Sequence, residues 1–133
     1  MARKASRTSW KTLRLKRVYE DPSPDDGQRV LVDRLWPRGL TKERAELTAW
    51  LRDISPSDAL RRKVHAAPEG AWEGFLEEYR IELNADSARA SIAELARLLE
   101  AGPVTLLYAA KDEHRNNAVA LKLLLEDRLL RAD

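Results

Sequence analysis

Seven residues, "DRLWPRG", place Asp33, Arg34, Trp36 and Arg38 directly behind the apolar run Val30-Leu31-Val32. A plain turn needs only the proline and the glycine. The acid, the two arginines and the tryptophan are residues that do chemistry. Guanidinium groups recognise phosphate, sulfate or carboxylate in a planar, bidentate way, and a carboxylate beside them is a candidate general base. A second polar stretch, "KDEHRNN", follows the apolar run "VTLLYAA" and adds Lys111, Asp112, His114, Arg115, Asn116 and Asn117. If both stretches leave parallel strands at their carboxyl ends, they share the edge at which open α/β sheets bind ligands. Arg34, Trp36, Arg38, Lys111, His114, Arg115 and Asn116 are then the candidate substrate contacts, and Asp33 and Asp112 the candidate general bases. The second stretch also runs into a helix, whose first N–H groups favour an anion.

Each of these residues has a plainer use. Arg34 could pair with Asp112, and Arg38 with an acid on the helix that follows. Trp36-Pro37 could be a packing corner with Gly39 as its turn residue, and Asn116 a helix cap. His114 has no acid at a telling spacing, and His65 sits where a helix ends, suited to its dipole.

The elements that must position these loops follow from periodicity. "LRLKRVY" alternates apolar and basic residues, a strand with one exposed face. "EDPSPDDGQ" is a turn, and "RVLVDRL" a strand apolar on both faces, as in a buried parallel sheet. Thr41 caps a helix that carries Ala45, Leu47 and Trp50 inward, and Ser57 caps a second, short one. A third helix begins near Pro68 and buries Trp72, Phe75, Leu76, Tyr79 and Leu83. A fourth buries Ile92, Leu95, Leu98 and Leu99 and stops at Gly102-Pro103, a glycine that tolerates the left-handed cap conformation before a residue that cannot continue the helix. "VTLLYAA" is the third clear strand and "NAVALKLLLEDRLL" the closing helix. Strands separated by helical runs give a small single-domain α/β fold, a mainly parallel sheet of three or four strands covered by helices in three layers, α/β/α. The link from Tyr19 to Gln28 is too short to say whether the first two strands pair in parallel.

Composition narrows the classes. A chain of 133 residues is one domain, able to bury about two-thirds of its unfolded surface. It has no cysteine, so disulfides, thiol catalysis and thiolate metal sites are excluded, and two histidines do not make a metal cage. No metal and no cofactor is expected. No apolar run approaches a membrane span and no secretory h-region opens the chain, so the cytoplasm is the expected location. Seven basic residues (Arg3, Lys4, Arg7, Lys11, Arg14, Lys16, Arg17) precede the first acid, Glu20. Beyond them seventeen bases face twenty-two acids, so the basicity belongs to the N-terminus. Residues 1–12 are expected to be a basic flexible segment and 13–133 the α/β domain.

The stretches "LKRVYEDPSPDDGQRVLVDRLWPRGLTKE" and "GPVTLLYAAKDEHRNNAVALKLLL" resemble the YeaO-like branch of domain of unknown function 488, from roughly Leu13 to Leu125. The resemblance implies an architecture and two motif loops but no reaction. That branch usually carries histidine directly before the asparagine, where this chain has Arg115, so a family role for histidine transfers poorly to His114. A sister branch carries Cys-His-Arg where Glu113-His114-Arg115 stands here. Some members are labelled transcriptional regulators, but no helix-turn-helix with a basic recognition helix is visible. Two functions are therefore expected. One is a small domain that binds or acts on an anionic small molecule at the carboxyl edge of the sheet. The other is a non-catalytic module whose N-terminal arm contacts nucleic acid or an acidic partner.

Overall fold

The two continuous apolar runs become the inner strands of a four-stranded, all-parallel sheet in the computed structural model, which describes residues 9–66 and 71–127. Its strands are β1 (Arg14–Arg17), β2 (Gln28–Leu31), β3 (Ala49–Trp50) and β4 (Val104–Tyr108), in the order β1-β4-β2-β3. The first two strands do not pair with each other. β4, the last in sequence, lies between them, with Arg14 opposite Thr105 on one side and Gln28 opposite Val104 on the other. Every residue of β4 is buried, as its unbroken apolar character requires.

Five helices follow in chain order: α1 (Lys42–Ala45), α2 (Asp58–Ala66), α3 (Trp72–Glu82), α4 (Asp86–Ala101) and α5 (Asn117–Glu126). Alternate strand residues separate two cores. Val30, Val104, Leu106 and Tyr108 pack against Leu60, Phe75, Tyr79, Leu83, Leu95, Leu121 and Leu124, so the four long helices share one face. Leu31, Leu107 and Val18 face the other way, onto Leu40 and Ala45. The third layer is thus thin, a single-turn helix and the loop before it. Each fully buried aliphatic or aromatic side chain contributes roughly 1.5–3 kcal/mol. Tyr79, fully buried on α3, also donates its hydroxyl to the Ile54 carbonyl at 2.6 Å.

Two expectations are corrected. The helix capped by Thr41 is one turn long and does not reach Trp50. It ends because Glu46 turns left-handed (φ 45°), and the chain then enters β3, where Leu51 N–H bonds the Leu31 carbonyl at 2.9 Å. Leu47 and Trp50 still pack inward, but from an edge strand and the turn before it. Gly102 is extended (φ 163°) rather than left-handed, so Pro103 alone stops α4. The other caps stand as expected: Thr41 Oγ1 accepts from Arg44 N–H, Ser57 Oγ from Leu60 N–H and Asn116 Oδ1 from Val119 N–H.

The expected flexible segment lies outside the described residues as far as residue 8. Trp10–Thr12 form a 3-10 turn with Trp10 against the core. Pro68 and the His65 side chain also lie outside what is described. Among the described residues, no helix is long and apolar enough to cross a membrane, and no group of three or more His, Cys, Asp or Glu side chains could hold a metal ion.

Candidate functional site

Because all strands run in parallel, the loops after β2 and β4 leave the sheet at the same edge. Asp33 ties them together. One carboxylate oxygen accepts from the Ala109 N–H at 3.0 Å, and the other accepts from Asn117 Nδ2 at 3.0 Å. Asn117 Nδ2 also donates to the Val32 carbonyl at 3.0 Å, so the first residue of α5 is fastened to the end of β2.

The loop from Asp33 to Leu40 is held at each of its other unusual residues. Trp36 Nε1 donates to the Leu40 carbonyl at 2.6 Å, and Trp50 Nε1 to the Asp33 carbonyl at 2.7 Å. The two indoles meet edge to face, 5.3 Å apart. Leu40 N–H closes a turn on the Pro37 carbonyl, and Gly39 has φ 77° where a type II turn needs a positive value. The Tyr19 hydroxyl donates to the Arg38 carbonyl at 2.8 Å. Arg17 reaches across from β1 and donates to the Ala109 and Ala110 carbonyls, both at 2.8 Å.

These anchors leave a cleft of about 400 Å³ at the carboxyl edge. Of the residues expected from sequence, Asp33, Arg34, Trp36, Arg38 and Lys111 line it. Asp112, His114, Arg115 and Asn116 do not. Asn116 is buried as the cap of α5. Asp112 is exposed, and its Oδ1 accepts the backbone N–H groups of His114 at 2.8 Å and Arg115 at 3.0 Å. Those two bonds hold its pKa below the ordinary aspartate value.

Sequence reasoning did not select Arg61, Tyr19, Leu35 or Pro56 for the cleft. Arg61 lies in an ordinary amphipathic helix, and only the tertiary fold brings the start of α2 to this edge. Asp58 Oδ1 stands 3.5 Å from Arg34 Nε and 3.6 Å from Arg61 Nη2, so Arg34 faces Asp58 and not Asp112. Among the described residues, the Arg38 guanidinium and the Lys111 ammonium have no hydrogen-bond or ion-pair partner, so Arg38 does not pair with an acid on the following helix. The lining therefore carries Arg34, Arg38, Arg61 and Lys111 against one carboxylate, Asp33.

A small parallel α/β domain with a polar cleft at the carboxyl edge of its sheet is the class these features define. Within that class, the chain belongs to the inactive DUF488-N3 subclade, whose family model matches residues 12–133. It is 43% identical over 116 residues to the uncharacterized protein Rv3073c of Mycobacterium tuberculosis, which spans 87% of this chain and 95% of that protein. It is 38% identical over 109 residues to the uncharacterized protein YeaO of Escherichia coli, 82% of this chain and 92% of that protein. The resemblance read from "VDRLWPRG" and "TLLYAAKD" is borne out. No solved structure matches the chain.

Proposed function

We propose that this domain binds an anionic small molecule in the cleft at the carboxyl edge and performs no chemistry on it. The observation that carries the reading is the surplus of cations: the lining has four against Asp33, Arg34 and Arg61 share the one carboxylate of Asp58 behind them, and Arg38 and Lys111 lack any partner among the described residues. Surplus positive charge in a concave site focuses the local potential and draws in anions. Arginine adds bidentate geometry to that attraction.

Binding without catalysis fits the two acids better than a general-base role. Asp33 has both oxygens engaged by protein N–H donors. Asp112 stands off the cleft, and the hydrogen bonds that lower its pKa also make it a weaker base. The family's description as inactive points the same way.

The test is thermal melting across a phosphate series, with chloride at matched ionic strength as the control. A ligand at 100 times its dissociation constant stabilises by about 2.7 kcal/mol. Replacing both Arg34 and Arg38 by alanine is expected to remove most of that gain and leave the fold without phosphate nearly unchanged, because both side chains are exposed. Equal phosphate responses in parent and double variant would overturn the reading.

A further inference from the structure

The cleft offers more than charge. Leu35 is 63% exposed at its wall, the largest exposure of any large hydrophobic side chain among the described residues. Beside it stand two half-buried aromatic rings whose polar tips are already used. The Tyr19 hydroxyl is bound to the Arg38 carbonyl and the Trp36 Nε1 to the Leu40 carbonyl. What these rings give the cleft is therefore carbon surface, with the buried Pro37 and Pro56 beneath it. A bare inorganic anion leaves that wall in water. A cavity of about 400 Å³ also exceeds one phosphate ion and falls within the range of small-molecule sites.

The charge pattern narrows the anion. Arg34 and Arg61 share the single carboxylate of Asp58, at 3.5 and 3.6 Å, while Arg38 and Lys111 have no partner among the described residues. Two unpartnered cations beside two that share one acid favour a dianion over a single carboxylate, because each added charge gains a further cation contact. Flat apolar surface next to arginines suits an aromatic ring system, which stacks on side-chain rings and on guanidinium planes. Building on the anion reading, we propose that the ligand is a phosphate ester of a flat, apolar body, of the nucleoside phosphate class. The phosphate lies among Arg34, Arg38, Arg61 and Lys111, and the base lies on the wall formed by Tyr19, Leu35 and Trp36.

Titration calorimetry at matched ionic strength, with inorganic phosphate, ribose 5-phosphate and adenosine 5′-monophosphate, separates the two parts of the site. The nucleotide is expected to bind at least about tenfold tighter than phosphate or ribose 5-phosphate. Leu35→Ser is expected to weaken the nucleotide several-fold and leave phosphate binding as it was, since the side chain is mostly solvent-exposed and its loss does not threaten the fold. Equal affinity for all three compounds would overturn the nucleoside proposal and leave the anion site standing. No binding of any of the three would overturn both.

Discussion

Asp33 accounts for more of the site's geometry than any residue beside it, although its neighbours in "DRLWPRG" share the work. Its two oxygens join the end of β2 to the Ala109 N–H after β4 and to Asn117 on α5. Trp36 and Trp50 pin the loop by their indole N–H groups, and Pro37 and Gly39 shape the turn. This leaves Arg34 and Arg38 as the members whose guanidinium groups hold no backbone atom of the loop. A staple and a general base make different predictions for Asp33→Asn. The amide turns an NH₂ towards one of two N–H donors, so one bond is lost and a half-buried donor goes unpaired. We expect a loss of about 1–3 kcal/mol in urea unfolding. An unchanged urea midpoint would mean that the carboxylate is not structural and would reopen a catalytic role for it.

At the scale of elements, the strands most legible in the sequence are the buried ones. "VTLLY" and "RVLV" read as central strands because both faces are apolar, and both are central. β3 was not legible. It has two residues, and the spacing of Ala45, Leu47 and Trp50 imitates a helix until Glu46 breaks it. The cleft was half legible for the same kind of reason. Loops that follow long apolar runs can be assigned to an edge from order alone, whereas Arg61 reaches the cleft by the docking of α2, which leaves no local signature. Gly27 shows how tightly two elements can meet. It has φ 62°, and a Cβ there would stand 2.4 Å from the Pro103 carbonyl oxygen, at the point where Gln28 N–H bonds that same carbonyl. Gly39 also has a positive φ, 77°, but a Cβ there meets nothing within 4 Å. Gly39→Ala is expected to cost about 1 kcal/mol, the strain of the left-handed region alone. Gly27→Ala is expected to cost clearly more, since it adds a backbone clash that neither β2 nor β4 can relieve without shifting. Equal urea midpoints for the two variants would show that the strands adjust freely there.

For the whole molecule, three members of the basic N-terminal run are part of the sheet. Arg14, Lys16 and Arg17 belong to β1 and are committed to the fold: Arg14 to the Asp25 carbonyl, Lys16 to Asp26 and Arg17 to the Ala109 and Ala110 carbonyls. Asp26, 6% exposed, is the hub of this arrangement. Its carboxylate takes Lys16 at 3.1 Å, Arg29 Nη1 at 2.5 Å and the Ser23 N–H at 3.0 Å, and its carbonyl takes the Thr105 hydroxyl at 2.8 Å. It thereby links β1, β2 and β4, and α1 joins through Arg29 Nε on the Ala45 carbonyl. Burial by itself raises the Asp26 pKa, but the hydrogen bonds from Ser23, Lys16 and Arg29 outweigh it and hold the group below its ordinary value of 3.8. A depressed folded pKa has a fixed sign. The unfolded chain binds the proton first as the pH falls, so Asp26 contributes its full stability above about pH 4 and loses it as the pH drops through the folded value. Asp26→Asn removes the counter-charge of Lys16 and of Arg29, a buried arginine whose Nη2 already lacks a partner. Breaking a buried pair from one side costs about 3 kcal/mol or more. Urea melts of parent and variant between neutral pH and about pH 2.5 should show that gap at its widest near neutrality and narrowing below about pH 4, as protonation brings the parent to the same uncharged state. A gap that stays constant to the acid limit would mean that the network is held by shape and neutral hydrogen bonds, and that the Asp26 charge adds nothing to the junction of the three strands.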